Sequence, residues 1–184
     1  MTARKLLLAT FVVALFATSA RAQARPRPQG HLGGRAFEAN KTFGLGLELG
    51  APTGIVGKWF FASDRAIDFG IGDVYRYFNR SGLHLYGDFL FHPTSLSSNE
   101  SFELPLYVGI GARLWDFRDT GAPAPNDAVA FGIRVPVGVA FDFNNVPIDF
   151  FIQVVPVLDF FTGNAIHTVY LDIDASVGVR YWFN

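Results

Sequence analysis

There is no cysteine in the 184 residues. An exported protein with this sequence has no disulfide to staple it and no thiol for lipid attachment. Packing and hydrogen bonding must hold the fold. Methionine occurs once, at position 1. Charge is balanced, with 15 Lys and Arg against 16 Asp and Glu, a formal net charge of −1. That balance offers a nucleic acid no electrostatic footprint. An apolar run long enough for a transmembrane helix is also missing. So, beyond the N-terminal residues, is any helical period of useful length. What the chain has in quantity is phenylalanine, 20 residues, glycine, 19 residues, and strict alternation.

The first residues have the form of an export signal. Arg4 and Lys5 make a short basic region, residues 6–17 are apolar, and Ala20-Arg21-Ala22 is a small-x-small cleavage site. The apolar run is shorter than the roughly 20 residues that a spanning helix needs. The expected organisation is a signal peptide over 1–22, a flexible linker over 23–36 and one domain over 37–184. The linker is assigned from its Pro, Gly and Arg content. Removing 1–22 removes three basic residues and no acid, leaving 12 basic against 16 acidic residues, a net charge of −4.

From residue 42 onward the chain divides into alternating runs separated by turn-rich segments. The last run, 167–183, is the clearest. Val169, Leu171, Ile173, Ala175, Val177, Val179, Tyr181 and Phe183 alternate with Tyr170, Asp172, Asp174, Ser176, Gly178, Arg180 and Trp182. A period of two puts the two sets on opposite faces of a strand. Similar runs cover about 42–50, 54–61, 65–73, 82–91, 102–116, 128–143 and 147–160. Eight strands and no helix predict an all-β fold, an eight-stranded antiparallel up-and-down transmembrane β-barrel. An even count puts both termini at one end. The connections 50–53, 74–81, 117–127 and 161–167 then share the other end, with 62–64, 92–101 and 144–146 at the terminal end.

Alternation alone does not say which face is inside. Glycine mixed with charge marks one face: Glu48, Lys58, Asp68, Asp88, Arg113, Arg134, Asp142, Asp149, Asp172, Asp174 and Arg180. An eight-stranded barrel has an interior just wide enough for side chains. Glycines there make room for long charged groups, and both signs allow pairing. The aromatics near run ends, Trp59, Trp115 and Trp182 among them, are expected to form interfacial girdles. The competing expectation is a soluble periplasmic or secreted lipocalin-like binder, whose apolar face would point inward around a small apolar ligand. Three prolines fall inside runs. Pro156 is expected to end its strand at the rim, and Pro136 to mark a bulge or a missing ladder bond.

The segment Ser176-Val-Gly178-Val-Arg-Tyr181-Trp-Phe183 resembles the C-terminal signal read by the barrel-assembly machinery of Gram-negative-type bacteria. Ser176, Gly178, Tyr181 and Phe183 carry the match, and Asn184 follows them. Residues 37–184 resemble the small barrels of the OmpA-transmembrane, OmpX and OmpW type. Gly50-Ala-Pro-Thr-Gly54, residues 104–114, Ile133-Arg-Val-Pro-Val-Gly138 and Val154-Val-Pro-Val-Leu-Asp159 resemble a poorly characterised family of small bacterial outer-membrane barrels. The resemblance implies a barrel in the outer membrane, contacts with membrane lipid and with the assembly machinery, and no defined activity.

Chemistry is sparse. Asp172 and Asp174, with Asp149 and Asp159 on the preceding run, are an acidic set that a hard cation would suit. Arg113, Arg134 and Arg180 on the same faces make internal ion pairing the favoured expectation. His84, Tyr86 and Asp88 share a face, but no nucleophile motif accompanies them, and the serines at 95, 97, 98 and 101 are expected in a polar turn with His92. No catalytic residue, cofactor or metal is expected. Tyr75, Arg76, Tyr77 and Arg80 form an aromatic-basic connection suited to a surface partner or a phosphate. Gly44-Leu-Gly-Leu lies inside a strand with no helix after it, so it is no phosphate loop.

Overall fold

The computed structural model describes residues 36–74, 80–119, 127–162 and 169–183. The expected signal peptide, nearly all of the expected linker, and Tyr75, Arg76 and Tyr77 lie outside the described residues. So does the side chain of Arg80. The described residues contain no helix. The strands are β1 Phe43–Gly50, β2 Thr53–Phe60, β3 Arg65–Asp73, β4 Arg80–Ser81, β5 Leu83–Ser98, β6 Phe102–Asp119, β7 Asp127–Arg134, β8 Val137–Phe143, β9 Ile148–Thr162 and β10 Val169–Phe183.

All pairings are antiparallel, and they close a ring. The order runs β10, β1, β2, β3, β5, β6, then β7 with β8, then β9, which pairs back to β10. β7 and β8 both lie between β6 and β9, so they are one wall strand interrupted at Val135 and Pro136. β4 pairs with β6 as the first rung of the β5 strand. Eight wall strands therefore enclose the lumen, and closure leaves no sheet edge. β1 and β10 meet in register from Phe43 opposite Phe183 to Gly50 opposite Ser176.

The pleat sorts side chains by parity. On β5 the inward residues are His84, Tyr86, Asp88, Leu90 and His92, all buried, while Leu85, Phe89 and Phe91 are exposed. On β9, Phe151, Gln153, Val155, Val157 and Asp159 are buried, while Phe150, Ile152, Val154 and Leu158 are exposed. The outside is therefore apolar and the inside polar. This inverts the usual order of a water-soluble domain.

Three sequence expectations are corrected. Residues 92–98 do not belong to a polar turn; they continue β5 to Ser98, and only 99–101 connect it to β6. Register shifts between Phe91 and Thr94 and between Ser95 and Ser98 reset the alternation. Pro93, which has no N–H for the ladder, sits inside the first shift. With this change every connection at the terminal end is short. Second, Pro156 does not end its strand, because β9 runs on to Thr162. Pro156 faces outward, and its carbonyl accepts the Val135 N–H at 2.9 Å. Third, Trp115 and Trp182 are not girdle residues. They are 2% and 1% exposed, because they lie two positions from the inward Arg113 and Arg180. At Pro136 the ladder breaks, while its carbonyl still accepts the Gly109 N–H at 2.9 Å.

Candidate functional site

The only concentration of chemistry among the described residues is the lumen. Each wall strand contributes inward charge: Glu48 from β1, Lys58 from β2, Asp68 from β3, Asp88 from β5, Arg113 from β6, Arg134 and Asp142 from β7 and β8, Asp149 from β9, and Asp174 and Arg180 from β10. All ten are buried. Asp172 lies at the edge of this set, with its side chain 25% exposed.

At the end away from the termini, Arg113 gathers three carboxylates. Its Nε donates to Asp159 at 2.9 Å and its Nη2 also binds Asp159, Nη1 donates to Asp174 at 2.6 Å, and Nη2 donates to Asp172 at 2.9 Å. Arg134 donates from Nε to Asp88 at 3.1 Å and from Nη1 to Asp174 at 3.5 Å, and its guanidinium lies 4.0 Å from the centre of the Tyr86 ring. Gly132 is what makes the Arg113 cluster possible. A Cβ there would collide with Asp159 Oδ1, Arg113 Cγ and Val157.

Glu48 holds the middle. Its carboxylate accepts from Tyr86 at 2.7 Å, from Gln153 Nε2 at 2.9 Å, and from Ser176. The Tyr107 hydroxyl donates to Gln153 Oε1 at 3.2 Å, which extends the network toward the terminal end. There Arg180 forms a two-pronged pair with Asp149, at 3.1 and 3.0 Å, and reaches Asp68 at 3.5 Å. Its guanidinium lies 4.3 Å from the Phe151 ring centre. Lys58 Nζ is 2.9 Å from His92 Nε2 and 4.5 Å from the Tyr107 ring centre.

Charge-assisted hydrogen bonds of this kind are the strong ones. In a dry interior they also fix geometry, since any broken pair leaves a stranded charge. The network joins inward side chains from all eight wall strands.

The acidic set anticipated around Asp172 divides. Asp159, Asp172 and Asp174 converge, with the Arg113 guanidinium at their centre, whereas Asp149 belongs to Arg180. A guanidinium thus stands where a cation would have to go. His84, Tyr86 and Asp88 share a face but point to different partners. Tyr86 donates to Glu48, Asp88 accepts from Arg134, and neither ring nitrogen of His84 has a hydrogen-bond partner among the described residues. Ser95 donates to Glu103 and His92 meets Lys58, so these two form no nucleophile–base pair.

Sequence reasoning misses Lys41 and Glu103, both buried in the lumen. Glu103 obeys strand parity and could have been found by it, as Gln153 is by its parity with Asp149. Lys41 precedes β1, where no period exists to assign it. Of the four residues of the expected assembly signal, Ser176 is buried in the lumen, Gly178 lies against the Phe151 ring, and Tyr181 and Phe183 are partly exposed, 5.0 Å apart by ring centres.

On the outer wall, a groove of about 500 Å³ crosses β1, β10, β9 and β8. Its side chains include Leu47, Leu49, Phe141, Phe150, Ile152 and Val177, and none of its lining residues is polar.

Residues 35–182 match the model of a family described as protein of unknown function, DUF3996. No curated protein matches, and no solved structure matches.

Proposed function

The chain belongs to the DUF3996 family of proteins of unknown function, and we propose that it is an outer-membrane β-barrel with a structural or surface-interaction role. Its interior is filled by side chains rather than open as a wide pore, and the role proposed is not an enzymatic one. It reaches the outer membrane by export, and the assembly machinery reads Ser176, Gly178, Tyr181 and Phe183. Its standing partner is membrane lipid. A further surface partner would meet the connections at the end away from the termini, which include Tyr75, Arg76, Tyr77 and Arg80.

One observation carries this reading: the polarity is inside out. Exposed apolar side chains cover the wall, from Leu171 at 69% and Ile110 at 60% to Ile152 at 59%, while arginines and aspartates are buried behind them. Water would penalise that arrangement, and hydrocarbon favours it. The outward set on β9 runs from Phe150 to Phe160. Ten residue steps span about 33 Å along a strand. At the usual tilt of such barrels this becomes a band about 25 Å tall, the height of a lipid-facing belt. The lipocalin-like alternative needs an apolar lumen. Here the lumen holds Arg113, Arg134, Arg180 and their carboxylates.

Membrane fractionation with gel mobility before and after boiling tests the proposal. The expected result is recovery in the outer-membrane fraction and a mobility that shifts on heating. A protein that stays monomeric in buffer without detergent overturns it.

A further inference from the structure

The chain ahead of β1 does not leave the barrel directly. It crosses the mouth at the terminal end. Phe37 is 3% exposed, with its ring centre 5.6 Å from Phe60 and 5.1 Å from His92. The Ala39 N–H donates to the Ser63 carbonyl at 2.7 Å, on the connection between β2 and β3. Lys41 then turns to the far wall. Its ammonium binds Asp142 on β8 and donates to the carbonyl of Phe143 at 2.8 Å. Residues 36–42 therefore touch β2, β5 and β8, which lie on different sides of the ring.

The wall beneath them explains why a cation is needed there. Glu103 on β6 stands opposite Asp142 on β8, and Asp142 stands opposite Asp149 on β9. Three carboxylates thus sit in a row on neighbouring strands, all buried. Like charges directly opposed destabilise a sheet. Arg180 answers Asp149, and Ser95 donates to Glu103. The strap brings the ammonium that answers Asp142. This cation comes from a segment that is not part of the sheet.

We infer that residues 36–42 form a latch that closes the lumen at the terminal end, seated by Phe37 and locked by Lys41 on Asp142. Releasing it exposes the charged interior to water and small solutes from that side. The β1–β10 seam does not depend on the latch, because those strands pair without it, and the one wall N–H among the described residues that reaches the latch is that of Phe60, which donates to the Thr42 carbonyl at 2.8 Å. The latch follows from the geometry of the mouth, whether or not the wall faces lipid.

The absence of cysteine gives a clean test. Ser95 is 2% exposed and lies beside the carboxylate row. Ser95→Cys is a near-isosteric change that puts the single thiol beneath the strap. The folded barrel in detergent is treated with a small water-soluble methanethiosulfonate. Labelling is compared in Ser95→Cys alone, with Lys41→Met, and with Phe37→Ala. The gel mobility shift on boiling reports that each is folded. The expected result is slow labelling of the parent and labelling faster by about tenfold or more in both unlatched proteins. Rates within about twofold of the parent in both overturn the latch. So does failure of both to fold, which would make the strap part of the wall's own stability.

Discussion

Replacing Arg113 with methionine is expected to cost the barrel about 3–5 kcal/mol, the penalty for breaking a buried ion cluster by removing one partner. Arg113 is fully buried and serves Asp159, Asp172 and Asp174 together. Methionine fills much of the volume and returns none of the charge. Asp159 has a side chain only 1% exposed and could not be rescued by solvent. Arg134 still reaches Asp174 at 3.5 Å, so part of the cluster survives. The midpoint of urea unfolding from micelles, read by loss of the compact gel form, measures the effect. Arg65→Met is the control. Its side chain is 55% exposed and 3.8 Å from Asp64, so its loss should cost under about 1 kcal/mol. Adding Asp159→Asn and Asp174→Asn to Arg113→Met should recover part of the loss, because the stranded charges go with the cation. If Arg113→Met costs no more than Arg65→Met, the lumen is wet and the filled-interior account fails.

The second large effect belongs to the outer wall. Val154 is 48% exposed near the middle of the outward set on β9, opposite Ala175 on one side and Val137 on the other. On a water-facing surface, Val154→Arg would move stability by no more than about 0.5 kcal/mol. Facing hydrocarbon at mid-height, the same change should cost about 2–4 kcal/mol. The two environments therefore predict different results for one substitution. Ser63→Arg, at an exposed connection on the terminal end, should cost about 0–1 kcal/mol in either case. Refolding yield and unfolding midpoint in lipid vesicles separate them. Equal behaviour of the two variants would mean that the apolar wall does not face lipid.

Much of this fold is legible in the sequence, because a strand's period of two is rigid. Once Val177 and Val179 share a face, Ser176, Gly178 and Arg180 must share the other. The same parity, applied to the other runs, puts Glu48, Lys58, Asp68 and Asp88 on the inward face of their strands. Legibility ends where the period is interrupted. His92 to Ser98 looks like a turn because two register shifts scramble the alternation, and Pro93 and the serines imitate loop chemistry. Trp115 and Trp182 look like girdle residues because tryptophan near a strand end usually is one. Their parity with Arg113 and Arg180 says otherwise, and each indole packs over a lumen end. Trp182 stacks on Phe60 with ring centres 5.6 Å apart. Lys41 and Phe37 are invisible to any periodic argument, because they act through a long-range crossing of the mouth. Which arginine meets which aspartate is equally hidden. Arg113 and Asp159 lie 46 positions apart, and they meet across Gly132 of β7, which pairs with both.

The central claim is that the apolar face meets lipid and the charged face does not. The three tryptophans offer the most direct measurement. Trp59 is 48% exposed on the outer wall, and Trp115 and Trp182 are buried inside. Two proteins are compared in vesicles containing brominated lipid chains: Trp115→Phe with Trp182→Phe, which keeps only Trp59, and Trp59→Phe, which keeps only the interior pair. The account predicts strong quenching of Trp59 by the lipid bromines and weak quenching of the interior pair. Quenching of Trp59 by iodide in the aqueous phase, with none from the lipid, would contradict it.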